Sequence, residues 1–189
     1  QAYRDVLGGL PGGVMARVQI PAIDVDLPVF HGTDEETLTQ GVGHLFGSAL
    51  PVGGTGTHSV LTTHSGLVDA RLFTDLEKLV EGDTFSVTVL DEQVRYRVDR
   101  ITAVEPADTL ALRPEPGKDL MTLVTCTPIG VNSHRLLVRG ERIESPPTTE
   151  KSDVEVGSGT VDPGFPWWAL GVPAAAGAAI HLTRRKRIS

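Results

Sequence analysis

Cysteine is almost absent from this chain of 189 residues, and Cys126 is the single one. One thiol forms no intramolecular disulfide. Nor does it supply a thiolate zinc cluster, which needs several sulfur ligands or a tight Cys/His group. The glycine-rich run 51–56 is not followed by Gly-Lys-Ser/Thr, so it reads as a turn and not as a phosphate loop. No segment has the acidic spacing of an EF-hand, and no internal repeat is visible. The acidic trio Asp34, Glu35 and Glu36 is explained by helix capping, so neither a metal nor a cofactor is expected. Gln1 lacks a charged-then-apolar leader, which points to a removed leader or a piece of a longer chain. Basic residues are scarce outside the tail. Arg184, Arg185, Lys186 and Arg187 hold four of the 17, leaving 13 against 24 acidic residues elsewhere. That balance argues against nucleic-acid binding, which needs basic residues spread over a docking face.

What is present suits one globular domain with an appendage: 40% hydrophobic and 22% charged residues over a 189-residue chain. Residues 1–13 form a glycine-rich entry with a short helix at Tyr3–Leu7. Residues 14–144 alternate in the period of half-buried strands. Val14–Ile20 and Val25–Phe30 flank Pro21. Thr33 and Glu36 form a capping box ahead of a short helix carrying Leu38 and Val42. Ser59–Thr63 is a strand ending at His64. Leu72, Phe73, Leu76 and Leu79 recur at helical spacing up to Glu81-Gly82-Asp83. Phe85, Val87 and Val89 pair with Val94, Tyr96 and Val98 as a hairpin turning at Asp91-Glu92-Gln93, with Ile101–Val104 extending its second strand. Glu105–Lys118 contains three prolines and reads as a long, functional loop. Leu120–Thr125 and Arg135–Ile143 complete seven or eight strands with two or three helices, a mostly-β barrel or sandwich.

Beyond the domain, residues 145–163 are rich in Pro, Ser, Thr, Gly and acidic side chains, the composition of a flexible linker. Residues 164–183 follow as a transmembrane helix: about 18 mostly apolar residues reach roughly 27 Å. Trp167-Trp168 and the basic tail 184–189 flank it as aromatic belt and positive-inside anchor. The tail is then cytoplasmic and the domain extracytoplasmic.

A lone cysteine is by default a small buried hydrophobe. Cys126, however, closes a strand in Thr122-Leu123-Val124-Thr125-Cys126-Thr127-Pro128, and Pro128 ends the ladder so that the thiol lies at a rim. Acyl transfer on cysteine needs an imidazole for protons and a donor for the oxyanion. Arg135 opens the next strand and stays charged, so it donates without taking part in proton transfer. Among the six histidines, His181 sits at the membrane boundary. His31, His44 and His58 lie in turn-like sequence. His64 and His134 both stand at strand rims, and spacing leaves them level.

The runs Leu61-Thr62-Thr63-His64-Ser65-Gly66-Leu67, Thr122–Pro128 and Asn132-Ser133-His134-Arg135-Leu136-Leu137-Val138-Arg139-Gly140 resemble the His, Cys and Arg motifs of sortases. Gly13–Ile20, Pro28–Gly32, Gly41–Leu45 and Leu50–Gly54 are similar to the class C, pilin-polymerising members. The resemblance runs from Tyr3 to Ile143. It implies an eight-stranded closed β-barrel with Cys126 as nucleophile, His64 as acid/base and Arg135 as oxyanion donor. Thr125, Thr63 and Ser65 stand beside them as substrate-binding residues. It further implies cleavage of an LPXTG-type sorting signal between Thr and Gly through a thioacyl enzyme, with transfer to a pilin lysine amine. The partners are then LPXTG-bearing pilin or surface proteins and an amine acceptor, at the cell membrane of a Gram-positive organism. Anchoring to a cell-wall precursor is the alternative acceptor chemistry. A membrane-tethered, non-catalytic β-barrel binding module is the alternative of another class. Two departures stand out. The lid with an Asp-Pro-aromatic motif found upstream of class C barrels would precede this chain's first residues, Asp162-Pro163 being in the linker. The residue after the His, often Arg in class C, is here Ser65.

Overall fold

The structure, a computed structural model, describes residues 2–7, 11–66 and 71–144. The strands are β1 (Val14–Ile20), β2 (Val25–His31), β3 (Val42–His44), β4 (Thr57–Thr62), β5 (Thr84–Val89), β6 (Glu92–Val104), β7 (Asp119–Thr127) and β8 (His134–Ile143). They close in the order β1-β2-β3-β4-β7-β8-β6-β5. Pairing of Arg17–Gln19 with Ser86–Thr88 joins β1 to β5, so the sheet has no free edge and is a barrel, not a sandwich. Among the described residues, two short helices, α1 (Ala2–Asp5) and α2 (Glu35–Gln40), and four 3₁₀ turns accompany it. The expected helix at 164–183, its linker and its tail lie outside the described residues. Among the described residues, no helix is long and apolar enough to cross a membrane.

Period-two alternation fills the barrel. Phe85, Val87 and Val89 of β5 and Val94, Tyr96 and Val98 of β6 point inward and are buried with Met121, Leu123 and Val138. Phe85 and Tyr96 stack with ring centroids 5.4 Å apart. Gly140 of β8 lies so close to them that a Cβ there would sit 2.7 Å from the Phe85 ring, which only glycine tolerates.

Several local expectations shift. The cap of α2 is Asp34, whose carboxylate accepts from the Thr37 N–H at 3.0 Å; Thr33 lies outside the helix. Asp is as good a cap as Thr, and local sequence did not separate the two. Gly41 ends α2, so Val42 enters β3 instead of the helix. Leu72, Phe73, Leu76 and Leu79 are all buried, yet turns fill 72–75 and only Leu76–Lys78 is helical, as 3₁₀. Successive three-residue bonds, Thr74 to Arg71, Leu76 to Phe73 and Leu79 to Leu76, satisfy that segment without an α-helix. The hairpin turns at Leu90-Asp91, with Val89 opposite Glu92. His44 and His58 are strand residues and buried, not turn residues at the surface.

Candidate active site

β4 and β7 pair in parallel although more than fifty positions separate them, with Thr62 opposite Val124. A parallel pair brings both strand C-termini to one rim of the barrel. The ladder continues past the end of β4: the Thr63 N–H donates to the Val124 carbonyl at 3.3 Å. β8 runs antiparallel on the other side of β7, so its first residues return to the same rim. There Cys126 is opposite Arg135 and Val124 opposite Leu137. The outer faces of these three strands therefore carry His64, Cys126 and Arg135 at the rim. Thr62, Val124 and Leu137 form the next row down.

These side chains line one cavity of about 450 Å³. Val60, Val124 and Leu137 floor it as a small apolar cluster, packed by Leu45, Val104, Ala111 and Leu112. Pro106, Asp108, Thr109 and Leu112 of the β6–β7 loop form a wall. The long loop suspected of function is thus part of the site. A larger cavity of about 600 Å³, lined by Gly13, Phe30, His31 and Gln40, holds none of the three polar groups.

Spacing did not separate His64 from His134; the fold does. His64 is half-buried in the cavity wall, whereas His134 is exposed and bonded to Ser133 Oγ through Nδ1 at 2.9 Å. His64 Nε2 lies 3.1 Å from Glu35 Oε1 of α2. Sequence reasoning missed this partner by reading Glu35 only as a helix-start residue. The Arg135 guanidinium donates from Nη1 to the Asn132 and His134 carbonyls at 3.2 and 3.1 Å. Among the described residues no carboxylate pairs with it, which leaves its charge facing the cavity. Cys126 is partly accessible.

The three neighbouring hydroxyls bind backbone. Thr63 is buried and donates to the Gly41 carbonyl at 2.7 Å; Thr125 is buried and donates to the Thr63 carbonyl at 2.9 Å. Ser65 Oγ donates to the Cys126 carbonyl at 2.7 Å. They tie the His64 and Cys126 segments together. Thr63 and Thr125 also contribute to the cavity wall, but their hydroxyl hydrogens are already engaged by protein carbonyls.

The family profile described as the sortase domain matches residues 18–143, which holds the whole of this site. The chain belongs to the sortase family. Sortase C-1 from Actinomyces oris superposes with a TM-score of 0.75 at 56% identity, over 77% of this chain and 81% of that one. The pilus-related sortase C of Group B Streptococcus gives 0.68 at 47% identity, over 69% of this chain and 68% of that one. Sortase A of Bacillus anthracis is 29% identical over 130 residues, 69% of this chain and 60% of its own. This sortase spans 43 to 62% of the length of the curated relatives it matches.

Proposed function

We propose that this sortase is a cysteine transpeptidase that cleaves an LPXTG-type sorting signal between Thr and Gly and passes the acyl group to an amine. The observation that carries the reading is the convergence of Cys126, His64 and Arg135 on one cavity. The Cys126 thiolate adds to the Thr carbonyl, and the Arg135 guanidinium donates to the oxyanion that forms. Collapse breaks the Thr–Gly bond, His64 protonates the departing glycine amine, and a thioester remains on Cys126. An incoming amine attacks that thioester, His64 takes its proton, and the thiolate leaves. Removing the proton donor or the oxyanion donor should each lower turnover by two or more orders of magnitude.

The acceptor in this reading is a pilin lysine, and the support is the likeness to a pilus-related sortase C. A cell-wall precursor amine is the competing acceptor. The reading also places the chain at the cell membrane, held by residues 164–183 with the domain outside; the support is the apolar run between Trp167-Trp168 and the basic tail. The test is incubation with an LPXTG peptide and each amine in turn, with mass spectrometry of the enzyme. A thioacyl adduct on Cys126, absent in Cys126→Ala, and faster product formation with the pilin lysine are expected. A wild-type chain that neither acylates nor cleaves sinks the reading.

A further inference from the structure

One row beyond the apolar floor of the cavity, along β7 and β8, lies an ion cluster built on a buried arginine that the transpeptidase chemistry does not use. Arg139 of β8 is opposite Thr122 of β7, four residues down the ladder from Cys126, on the same outer face as Arg135 and Leu137. Its side chain is only 6% exposed. Nε donates to Asp99 Oδ1 at 3.0 Å and Nη2 to Asp99 Oδ2, while Nη1 donates to Glu115 Oε1. Asp99 sits in a bulge of β6, where the register with β8 shifts between Val98 and Arg100. A bulge re-aims one side chain, and here it directs a carboxylate at the guanidinium. Glu115 belongs to the β6–β7 loop. Beside it, His58 of β4 contacts Thr122 Oγ1 through Nε2 at 2.7 Å and the Arg113 carbonyl through Nδ1 at 3.0 Å.

The loop is therefore fastened at two consecutive points, Arg113 and Glu115, to residues on β4 and β8. The residues just ahead of these fastenings, Ala111 and Leu112, cover Val60, Val124 and Leu137. Turn hydrogen bonds within the loop, Leu112 N–H to Thr109 and Arg113 N–H to Leu110, and Lys118, whose Nζ meets Glu115 Oε2 and Glu141 Oε2 of β8 at 3.3 Å, complete its fastening. An isolated buried guanidinium is costly, and Asp99 and Glu115 together supply the countercharge of Arg139.

We infer that Arg139 is a positioning residue: through Glu115, and with His58 beside it, it holds the β6–β7 loop over the apolar floor and so sets the shape of the acyl-donor side of the cavity. Arg139 touches none of the reacting atoms. Its effect on catalysis is confined to how well the sorting peptide is held. This rests on the transpeptidase reading for its substrate, while the state of the loop is measured independently.

The test uses the full chain and the variants Glu115→Gln, Arg139→Lys and Arg139→Met. Glu115 is 39% exposed, so its substitution leaves the barrel core untouched. For Glu115→Gln, hydrogen exchange at the Leu112 and Arg113 amides should accelerate at least tenfold, with β7 amides unchanged. KM for the peptide should rise three- to tenfold, kcat at saturation should stay within twofold, and KM for the amine should not move. Arg139→Met should exceed this effect, and Arg139→Lys should fall between it and wild type. A purely structural role would instead lower the active fraction, and with it kcat, at constant KM. Unchanged exchange in Glu115→Gln, or faster exchange with an unmoved KM, overturns the inference. Should wild type fail to cleave the peptide, the transpeptidase reading falls, and exchange alone decides whether the ion pair holds the loop.

Discussion

Cys126 and Arg135 are direct cross-strand neighbours on the β7–β8 ladder, at the rim where both strands end. Opposed residues in a sheet keep their Cβ atoms about 4.5–5.5 Å apart, so register sets the base of the Arg135 side chain beside the thiol, and both line the same cavity. Among the described residues the guanidinium donates to two backbone carbonyls, those of Asn132 and His134. Arg135→Ala is therefore expected to lower kcat by about 10²–10³ with little change in KM, the loss of one oxyanion donor. Arg135→Lys should recover only part, because a point charge does not reproduce the planar fork. Steady-state kinetics on the sorting peptide, with melting curves showing Tm little changed, check both statements.

Glu35 meets His64 at Nε2, and among the described residues no protein group hydrogen-bonds Nδ1, so Nδ1 is the nitrogen assigned to proton exchange. The Glu35 side chain is 79% exposed, and exposed ion pairs contribute about 0–1 kcal/mol. Glu35→Gln is accordingly expected to reduce kcat/KM by no more than about fivefold. The difference from wild type should shrink as salt rises from about 0.05 to about 0.5 M, since exposed charges are screened over that range. Ring ¹⁵N shifts of His64 should show the Nε2–H form losing its preference in Glu35→Ala. A loss above a hundredfold, or an unaltered tautomer ratio, would contradict a merely orienting carboxylate.

How far the sequence disclosed these features depends on the range over which each is encoded. The β5–β6 hairpin was legible because Phe85, Val87 and Val89 face Val94, Tyr96 and Val98 through one short turn. Cys126 and Arg135 were legible as rim residues because Pro128 ends a strand and Arg135 begins the next. Spacing left His64 and His134 level, and only the resemblance of the run Leu61–Leu67 favoured His64. Its place beside Cys126 depends on the parallel β4–β7 pairing, a contact between segments with no local signal of each other. The spacing of Leu72, Phe73, Leu76 and Leu79 imitated an amphipathic helix because buried side chains in consecutive 3₁₀ turns recur almost as helical ones do. Glu35 and Arg139 escaped notice for a common reason. A carboxylate at a helix start and an arginine in a strand have ordinary local explanations, and only the fold brings them to their partners.

Acidification should weaken the fold in two stages. His44 and His58 are buried, and burial holds both imidazoles below their ordinary value of 6.5. Around His58 stand the Arg113 carbonyl, Thr122, Arg139, Glu115 and Asp99. The folded state thus binds fewer protons than the unfolded chain once pH drops below 6.5. Their contribution is complete above 6.5 and declines until the folded values are passed. Glu115 follows lower down. Hydrogen bonding to Arg139, then to Lys118, holds its carboxyl below 4.5, so its contribution is present above 4.5 and is lost as pH falls through the folded value. Chemical denaturation at intervals from about pH 8 to about pH 3 should show both declines. His58→Gln should flatten the first and leave the second, and a first decline of unchanged slope in that variant would refute the assignment.

Gly66 links the loop after His64 to the loop after Cys126. Its φ is +74°, and a Cβ there would lie 2.5 Å from Cγ2 of Ile129. Two separable penalties follow for Gly66→Ala. The left-handed backbone costs roughly 1–2 kcal/mol for a residue with a Cβ. The contact also requires Ile129 to move, and its Cγ2 branches too near the main chain to swing away without shifting the loop behind Pro128. Ile129 is itself 43% exposed, so Ile129→Ala alone should be close to neutral in stability. The double variant should then regain the steric part of the Gly66→Ala loss and keep the backbone part. A coupling of about 0.5 kcal/mol or more in a double-mutant cycle on stability would report the contact. The same cycle on kcat should show recovery too, because relieving Ile129 lets the His64 and Cys126 segments return to their common register. Strict additivity in both cycles would mean that the two loops do not touch in solution.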